Sequence, residues 1–210
     1  MSALAEVVPG ILHWSGRHPR IGQDVHSYLI PDAGAVLDPI LRDGVLEALR
    51  ESGPPERILL TNRHHYRDSA RLVAELGCSV HCPESGLHEF EGGPEVAGYA
   101  WGEEPAAGIT AHEVDAICPD DGALHIAVGP GALALADGVI RWEGELSFVP
   151  DFLMDDPEGT KRGIVEALAP LCELDFDALL LAHGDPIPSG GREKLAAFVE
   201  SPRQASFELQ

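Results

Sequence analysis

The middle of the chain, residues 35–82, alternates short apolar runs with helical patterns, and this alternation limits the folds that it can adopt. Leu41–Leu49 and Tyr66–Leu76 carry apolar residues at the spacing of an amphipathic helix. The runs that flank these helices are predicted to be short strands: Ala35–Leu37, Arg57–Leu60 and Ser79–Cys82. Because a helix that connects two strands favours parallel pairing, the pattern predicts a parallel sheet with helices packed against it.

Strands are also predicted before and after this middle segment. An opening β-meander is predicted from Val7–Val8, Ile11–Trp14 and Val25–Ile30, with a polar loop at residues 15–24 before the last of these strands. After a Gly- and Glu-rich loop, residues 84–104, the predicted strands are Ile109–Val114, Ala123–Val128, Ala132–Ala136, Val139–Arg141 and Ala178–Ala182. Helices are predicted from Asp156 to about Leu174 and from Arg192 to Glu200. The chain thus divides into two halves, each with a few strands followed by strand–helix units. This division predicts two sheets packed face to face, with helices outside both.

The net charge of −21 is the unusual property of the composition. An acidic surface repels phosphate groups, which excludes nucleic acid and anionic membranes as partners and leaves a small-molecule substrate or ligand. The four cysteines form no Cys-x-x-Cys pair, so a reduced, cytoplasmic setting is expected. The N-terminus has no basic segment and no long apolar run, and the 210 residues are expected to form a single domain.

The strongest chemical signal lies in residues 59–68, Leu-Leu-Thr-Asn-Arg-His-His-Tyr-Arg-Asp. Here a buried strand delivers polar and imidazole groups to its carboxyl end, where a helix begins. Open α/β sheets place their ligand sites at that end of the strands. Histidine and carboxylate side chains are also the usual ligands of zinc and similar metals.

This arrangement resembles the metallo-β-lactamase superfamily, in which a strand ends in T-H-x-H-x-D-H and these side chains hold one or two metal ions. The resemblance extends along nearly the whole chain. The matching segments are Val25–Ile30 for the second strand, Ala35–Asp38 for an "L-I-D" strand end, Ala134–Gly138 for "L-x-x-G-D" and Leu179–Gly184 for "L-x-P-G-H-G". The resemblance implies an α/β fold of four αββα layers, with two mixed sheets flanked by helices.

The ligand motifs depart from the family pattern. In an ungapped alignment only His64 falls on a ligand position of the first motif, because Asn62, Tyr66 and Arg67 replace a histidine, an aspartate and a histidine. The family's mid-chain histidine is also missing from residues 118–122. The resemblance therefore carries over three metal ligands: His64, Asp137 and His183.

Nearby residues could complete such a site. Asp68 lies four residues after His64, about one helical turn away, and Asp120 or Asp121 could replace the mid-chain histidine. A set of His64, Asp68, Asp137 and His183 would suit one zinc, iron or manganese ion. Arg67 cannot be a ligand, but in a metal-free site its guanidinium could point inward and pair with Asp137.

Two functions follow from these alternatives. In a metal-dependent hydrolase, a metal-bound hydroxide would attack a small ester, thioester, lactone or phosphoester, with Asp68 as ligand or base and Arg67 beside it. In that case Asn62, His65 and Tyr66 are expected to contact the substrate. In a metal-free relative, a pocket built from Arg63, His64, Tyr66 and Arg67 would bind a small anion, or the fold would bind a protein partner.

Overall fold

The structure is a computed structural model that describes residues 3–205, and its larger sheet has seven strands in chain order. The first four strands pair antiparallel and the last four, beginning with β4, pair parallel. These strands are β1 (Ala5–Val8), β2 (Ile11–Arg17), β3 (Asp24–Ile30), β4 (Ala35–Leu37), β5 (Arg57–Leu59), β6 (Ser79–Pro83) and β7 (Ala97–Tyr99).

The second sheet has four strands in the order β13-β10-β9-β8, and a two-stranded hairpin accompanies it. The central strand β10 pairs parallel with β13 and antiparallel with β9, so this sheet is also mixed. The strands are β8 (Ile109–Glu113), β9 (Gly122–Ile126), β10 (Ala132–Leu135) and β13 (Ala178–Leu181), and the hairpin is β11 (Ile140–Trp142) with β12 (Glu145–Ser147).

In the described part of the chain, four α-helices lie outside the sheets. They are α1 (Val45–Glu51), α2 (Ser69–Leu76), α3 (Pro157–Leu168) and α4 (Gly191–Glu200). Short 3-10 helices fill several connections: Pro31–Ala33, Arg63–Tyr66, Glu84–Phe90, Asp151–Leu153 and Pro170–Glu173. Within residues 3–205, no helix has both the length and the apolar character needed to cross a membrane.

Three clusters of buried side chains define the layers. One cluster joins the inner faces of both sheets, where Ala132, Ala134 and Ala178 are small enough to let the sheets approach. A second cluster fills the space between the larger sheet and helices α1 and α2. The third lies between the smaller sheet and helices α3 and α4. The predicted four-layer αββα sandwich is therefore confirmed.

Several boundaries differ from the sequence predictions. The first α-helix begins at Val45 rather than at residue 41, and the segment predicted as one helix from residue 66 is a 3-10 turn followed by α2. The predicted loop 15–24 is shorter, because β2 continues to Arg17 and β3 begins at Asp24. Strands β7 and β12 were not predicted, because neither Ala97–Tyr99 nor Glu145–Ser147 contains an apolar run or a β-branched residue.

Candidate metal centre

The carboxyl ends of four strands meet at one edge of the sandwich. Asp38 follows β4, Thr61 lies two residues beyond β5, Asp137 follows β10 and His183 follows β13. Within each sheet the two contributing strands are parallel neighbours, so their polar ends lie side by side. The fold thereby places the polar residues of distant segments between the two sheets.

Three side chains at this edge could hold one metal ion. Asp137 Oδ1 lies 3.1 Å from His65 Nε2 and 3.1 Å from His183 Nε2. The candidate ligand atoms of these three residues all lie within 4.8 Å of one another. His65 is buried, and Asp137 and His183 are partly exposed, so the trio has a closed side and an open side.

The other nitrogen of His65 faces a buried carboxylate. His65 Nδ1 lies 3.1 Å from Asp38 Oδ2 and 2.9 Å from Thr61 Oγ1. Asp38 is itself held, because its two oxygens accept hydrogen bonds from the Thr61 amide and hydroxyl at 2.8 and 2.6 Å. With Nδ1–H directed at these acceptors, Nε2 is the nitrogen that presents a lone pair when the ring is neutral.

Asp137 is held in a corresponding way. The Asn62 side-chain amide donates to Asp137 Oδ2 at 2.9 Å, which leaves Oδ1 directed at the two histidines. The Asp137 backbone N–H donates to the buried Asp121 carboxylate at 3.0 Å. Burial together with the neighbouring Asp137 charge raises the pKa of Asp121 to about 7.

The charges of the buried groups reinforce one another. Burial by itself would lower the pKa of His65, but Asp137 and Asp38 on its two sides raise it to about 9. Burial would likewise raise the pKa of Asp137, yet His65 and His183 hold it well below its usual range. Without an ion, the centre is therefore an imidazolium between two carboxylates.

Arg67 extends into the same region. Its Nη1 donates to the backbone oxygens of His26 and Asp38 at 3.0 and 2.7 Å, and Nη2 has no hydrogen-bond partner among residues 3–205. Burial lowers the pKa of Arg67, and the charges of Asp38 and Asp137 act in the opposite direction. Arg67 also adopts φ 41° and ψ −116°, an uncommon backbone conformation for a residue with a Cβ.

Two further histidines lie beside the centre on the inner face of the larger sheet. His13 Nε2 and His26 Nδ1 are 2.8 Å apart, and the rings are nearly parallel. Burial and the neighbouring His13 lower the pKa of His26 to about 4. His26 is thus buried and bonded to its neighbour.

Comparison with solved structures gives one consistent result. The DIM-1 metallo-β-lactamase, exposed to ceftazidime, superimposes with a TM-score of 0.70 at 13% identity, over 95% of this chain and 97% of that one. A metallo-β-lactamase family protein from Thermus thermophilus gives 0.63 at 20% identity, over 93% and 81%. For the subclass B3 enzyme BJP-1 of Bradyrhizobium japonicum the values are 0.62 and 16%, over 95% and 90%.

The chain has the metallo-β-lactamase fold. No family model matches the chain, and no curated protein sequence matches it. At these identities the structural likeness establishes the fold alone, so the chemistry of the site depends on the side chains that this chain presents.

The donor set of the trio fits one divalent ion. Two imidazoles and one carboxylate form the ligand set of several catalytic zinc sites and of many iron(II) sites, and both kinds keep open positions. A ligand histidine commonly directs its second nitrogen at a carboxylate, which is the relation between His65 and Asp38. Asp137 Oδ1 faces both His65 and His183, and a bound metal ion would neutralise the negative charge of this carboxylate.

The structure places His65 in the trio, where the sequence predicted its neighbour His64. His64 is exposed and lies outside the trio, whereas its neighbour His65 is buried within it. The cause is local: the Asn62 side chain accepts a hydrogen bond from the His64 backbone N–H at 3.0 Å and starts a 3-10 turn there. That turn rotates His64 towards solvent and His65 into the sandwich.

Asp68 also lies outside the trio. Its Oδ2 accepts a hydrogen bond from the Leu41 backbone N–H at 2.7 Å, so this carboxylate holds the loop that follows β4. Asp120, considered as a replacement ligand, forms an ion pair with Arg63 and accepts its backbone N–H. Both carboxylates are bonded to groups outside the trio, so neither is positioned as a further metal ligand.

Three residues were expected to contact substrate, and the structure places them differently from one another. Asn62 is fully buried and holds Asp137, and His65 stands in the trio itself. Tyr66 packs its ring against Phe90 at a centroid distance of 5.5 Å, within the cluster beneath the helices. A sequence signal for His65 did exist: Asn62 is a favoured cap residue, and a capped turn changes which of two adjacent histidines points inward.

Proposed function

We propose that this protein is a metal-dependent hydrolase that uses one divalent ion held by His65 Nε2, Asp137 Oδ1 and His183 Nε2. The observation that carries the proposal is the orientation of the His65 ring. Its Nδ1 faces the Asp38 carboxylate, and its Nε2 faces Asp137. A buried histidine oriented in this way is typical of a metal ligand. Zinc, iron(II) and manganese are the ions that this donor set favours.

When bound, such an ion supplies Lewis-acid activation of water and polarises an ester, thioester, lactone or phosphoester. The residues of the chain orient the ligands and supply a nearby positive charge. Asp38 and Thr61 fix the His65 ring, and Asn62 fixes the Asp137 carboxylate. Arg67 supplies a fixed positive charge beside Asp38 and Asp137, at a position where the resemblance expects a histidine ligand. One ion per chain is therefore proposed, and the roles expected for Arg67 and Asp68 in catalysis are indirect ones.

The substrate proposed is a small molecule in a reduced, cytoplasmic setting. The net charge of −21 supports a partner other than nucleic acid or an anionic membrane. All four cysteines are free, which supports a reducing compartment. We expect no efficient hydrolysis of β-lactams, because this chain offers three ligands and a fixed guanidinium where the family motifs supply more metal ligands.

The test is metal analysis of protein purified without a chelator or a histidine tag, followed by turnover assays with added zinc, manganese and iron(II). Generic esters, lactones and phosphodiesters serve as probes. We expect one bound ion per chain, lost in His65→Ala and in His183→Ala. His64→Ala is the matched control, since the neighbouring exposed imidazole should leave both metal content and turnover unchanged.

A second candidate function is the binding of a small anion or a protein by a metal-free site. The observation that favours it is the electrostatic balance of the centre: His65 and Arg67 already neutralise Asp38 and Asp137. Absence of stoichiometric metal and of metal-dependent turnover in the wild-type protein would contradict the hydrolase and favour this alternative. Equal loss of metal in His64→Ala and His65→Ala would contradict the ligand assignment.

A further inference from the structure

His183 is carried by a short loop that is fastened at both ends. On one side Ala182 donates to Leu135 O at 3.3 Å and accepts from the His26 N–H at 3.0 Å. On the other side Ile187 pairs back onto Leu179 through two backbone hydrogen bonds of 2.8 Å. Between these anchors the backbone leaves the sheet, so the position of the imidazole depends on what holds residues 183–186.

Arg141 in strand β11 makes four hydrogen bonds around this loop. Its backbone N–H donates to the His183 carbonyl at 2.9 Å. Its Nη1 donates to the carbonyls of Asp185 and Pro186 at 3.2 and 3.3 Å, while Nε donates to the Gly144 carbonyl at 3.1 Å. One half-buried residue thus joins the hairpin turn to three carbonyls of the His183 loop.

The loop and the strand also approach one another unusually closely. Gly184 has φ +97°, and a Cβ built on it would collide with the Arg141 backbone oxygen. A side chain at this position would push the loop away from β11. The glycine therefore permits the approach, and the arginine holds it.

We propose that Arg141 is a positioning residue that sets the location of the His183 imidazole through the backbone of residues 183–186. The inference rests on the proposed metal centre, for which His183 is a ligand. Metal–ligand distances in proteins fall within about 0.2 Å of their ideal values. A loop released from β11 would move His183 Nε2 relative to Asp137 Oδ1, which now lies 3.1 Å away.

Arginine suits this role better than lysine does. A planar guanidinium can donate to several carbonyls at fixed angles, whereas a lysine ammonium is a single point donor on a flexible stem. Arg141→Lys should therefore retain part of the attachment. The series wild type, Arg141→Lys and Arg141→Ala then gives a graded loss of constraint on one ligand.

The experiment combines two measurements on these variants and on Arg203→Ala. Arg203 is the matched control, because it lies beside the same hairpin with Glu145 as an ion-pair partner at 3.8 Å, and both side chains are about 70% exposed. The first measurement is cobalt(II) titration, followed by the visible absorption of the bound ion. The second is the ¹⁵N spectrum of the His183 imidazole in metal-free protein, with circular dichroism as a check on folding.

We expect the cobalt(II) Kd of Arg141→Ala to rise roughly 10–100-fold, the range for residues that orient ligands. Its absorption bands should shift, Arg141→Lys should be intermediate, and Arg203→Ala should match the wild type. Unchanged affinity and spectra in folded Arg141→Lys and Arg141→Ala would overturn the inference. If Arg141→Ala does not fold, Arg141→Lys alone decides in the same two measurements.

Failure of the proposed metal centre is distinguishable from failure of this inference. If the wild-type protein binds no cobalt(II), the hydrolase proposal fails. The metal-free spectrum then decides about Arg141: a shifted His183 imidazole resonance in the Arg141 variants supports the positioning role, and an unshifted one contradicts it.

Discussion

At the scale of single residues, the centre is a line of alternating charges built from groups that would each be costly to bury alone. His65 lies between Asp38 and Asp137 at 3.1 Å from each, and all three are held by neutral donors or acceptors as well. Buried charges persist in proteins only when they are paired and hydrogen-bonded in this way. A proton on His65 Nε2 and a metal ion at that nitrogen are therefore mutually exclusive, and pH should control which is present.

The first prediction concerns the stability of the metal-free protein at alkaline pH. The pKa of His65 is raised to about 9 from an ordinary value of 6.5, so its contribution is complete below pH 6.5 and is lost as the pH rises through about 9. The free energy of unfolding should fall by at most about 1.4 kcal/mol per pH unit in this window. Urea denaturation of chelator-treated protein measures it, and His65→Gln should lack this loss. Identical slopes for the two proteins would count against a protonated His65.

A second prediction concerns Arg67. Replacement by alanine removes the donor to two backbone oxygens and the positive charge near Asp38 and Asp137. We expect Arg67→Ala to lower the free energy of unfolding by roughly 3 kcal/mol. Arg17→Ala is the control, since that guanidinium is 70% exposed and should change stability by less than about 0.5 kcal/mol. Similar values for the two variants would mean that Arg67 contributes nothing through its burial.

At the scale of elements, short turns decide which side chains reach the centre. The 3-10 turn Arg63–Tyr66 directs His65 inward, and the loop after β13 brings His183 to Asp137. Both turns depend on backbone conformations that few residues adopt, φ 41° at Arg67 and φ 97° at Gly184. Uncommon backbone conformations often accompany functional sites, because the surrounding structure must stabilise them.

The third prediction tests the loop after β13 with two glycines. Gly184 and Gly144 both have positive φ, but a Cβ on Gly184 would meet the Arg141 backbone, while none of the described atoms lies within 4 Å of a Cβ on Gly144. Gly144→Ala should cost about 1 kcal/mol from the left-handed conformation alone. Gly184→Ala should cost roughly 3 kcal/mol, since overpacking adds to that strain. Thermal and urea denaturation measure both, and equal losses would show that the loop can move away from β11 freely.

At the scale of the whole molecule, the two sheets share one core while the surface carries a large negative charge. With a net charge of −21, the excess negative side chains repel one another more strongly in the folded state than in the expanded unfolded state. The predicted consequence is that stability increases with salt. The Debye length falls from about 30 Å at about 0.01 M salt to about 3 Å at about 1 M, which screens this repulsion.

This fourth prediction is measured as the melting temperature across that range of sodium chloride. A rise is expected for wild type, and a smaller rise for a variant with several exposed glutamates changed to glutamine, for example Glu51, Glu91, Glu95 and Glu143. A melting temperature that falls with salt would indicate that local ion pairs outweigh the general repulsion. The expectation of a single domain stays a prediction, which a single cooperative transition in the same experiment would support.

The sequence by itself determined the layers and their order, because apolar periodicity and turn residues are local signals that the chain carries without its tertiary structure. It also brought out Asp137 and His183, each at the end of an apolar strand in a motif of recognisable order. The choice between His64 and His65 follows from the local Asn62 cap, whereas only the tertiary structure gave Asp38, Asn62 and Arg141 their roles around the centre. The physical reason is that a cap acts within one turn of the chain, while the support of a ligand comes from residues far away in the sequence, as Asn62 is 75 positions from Asp137.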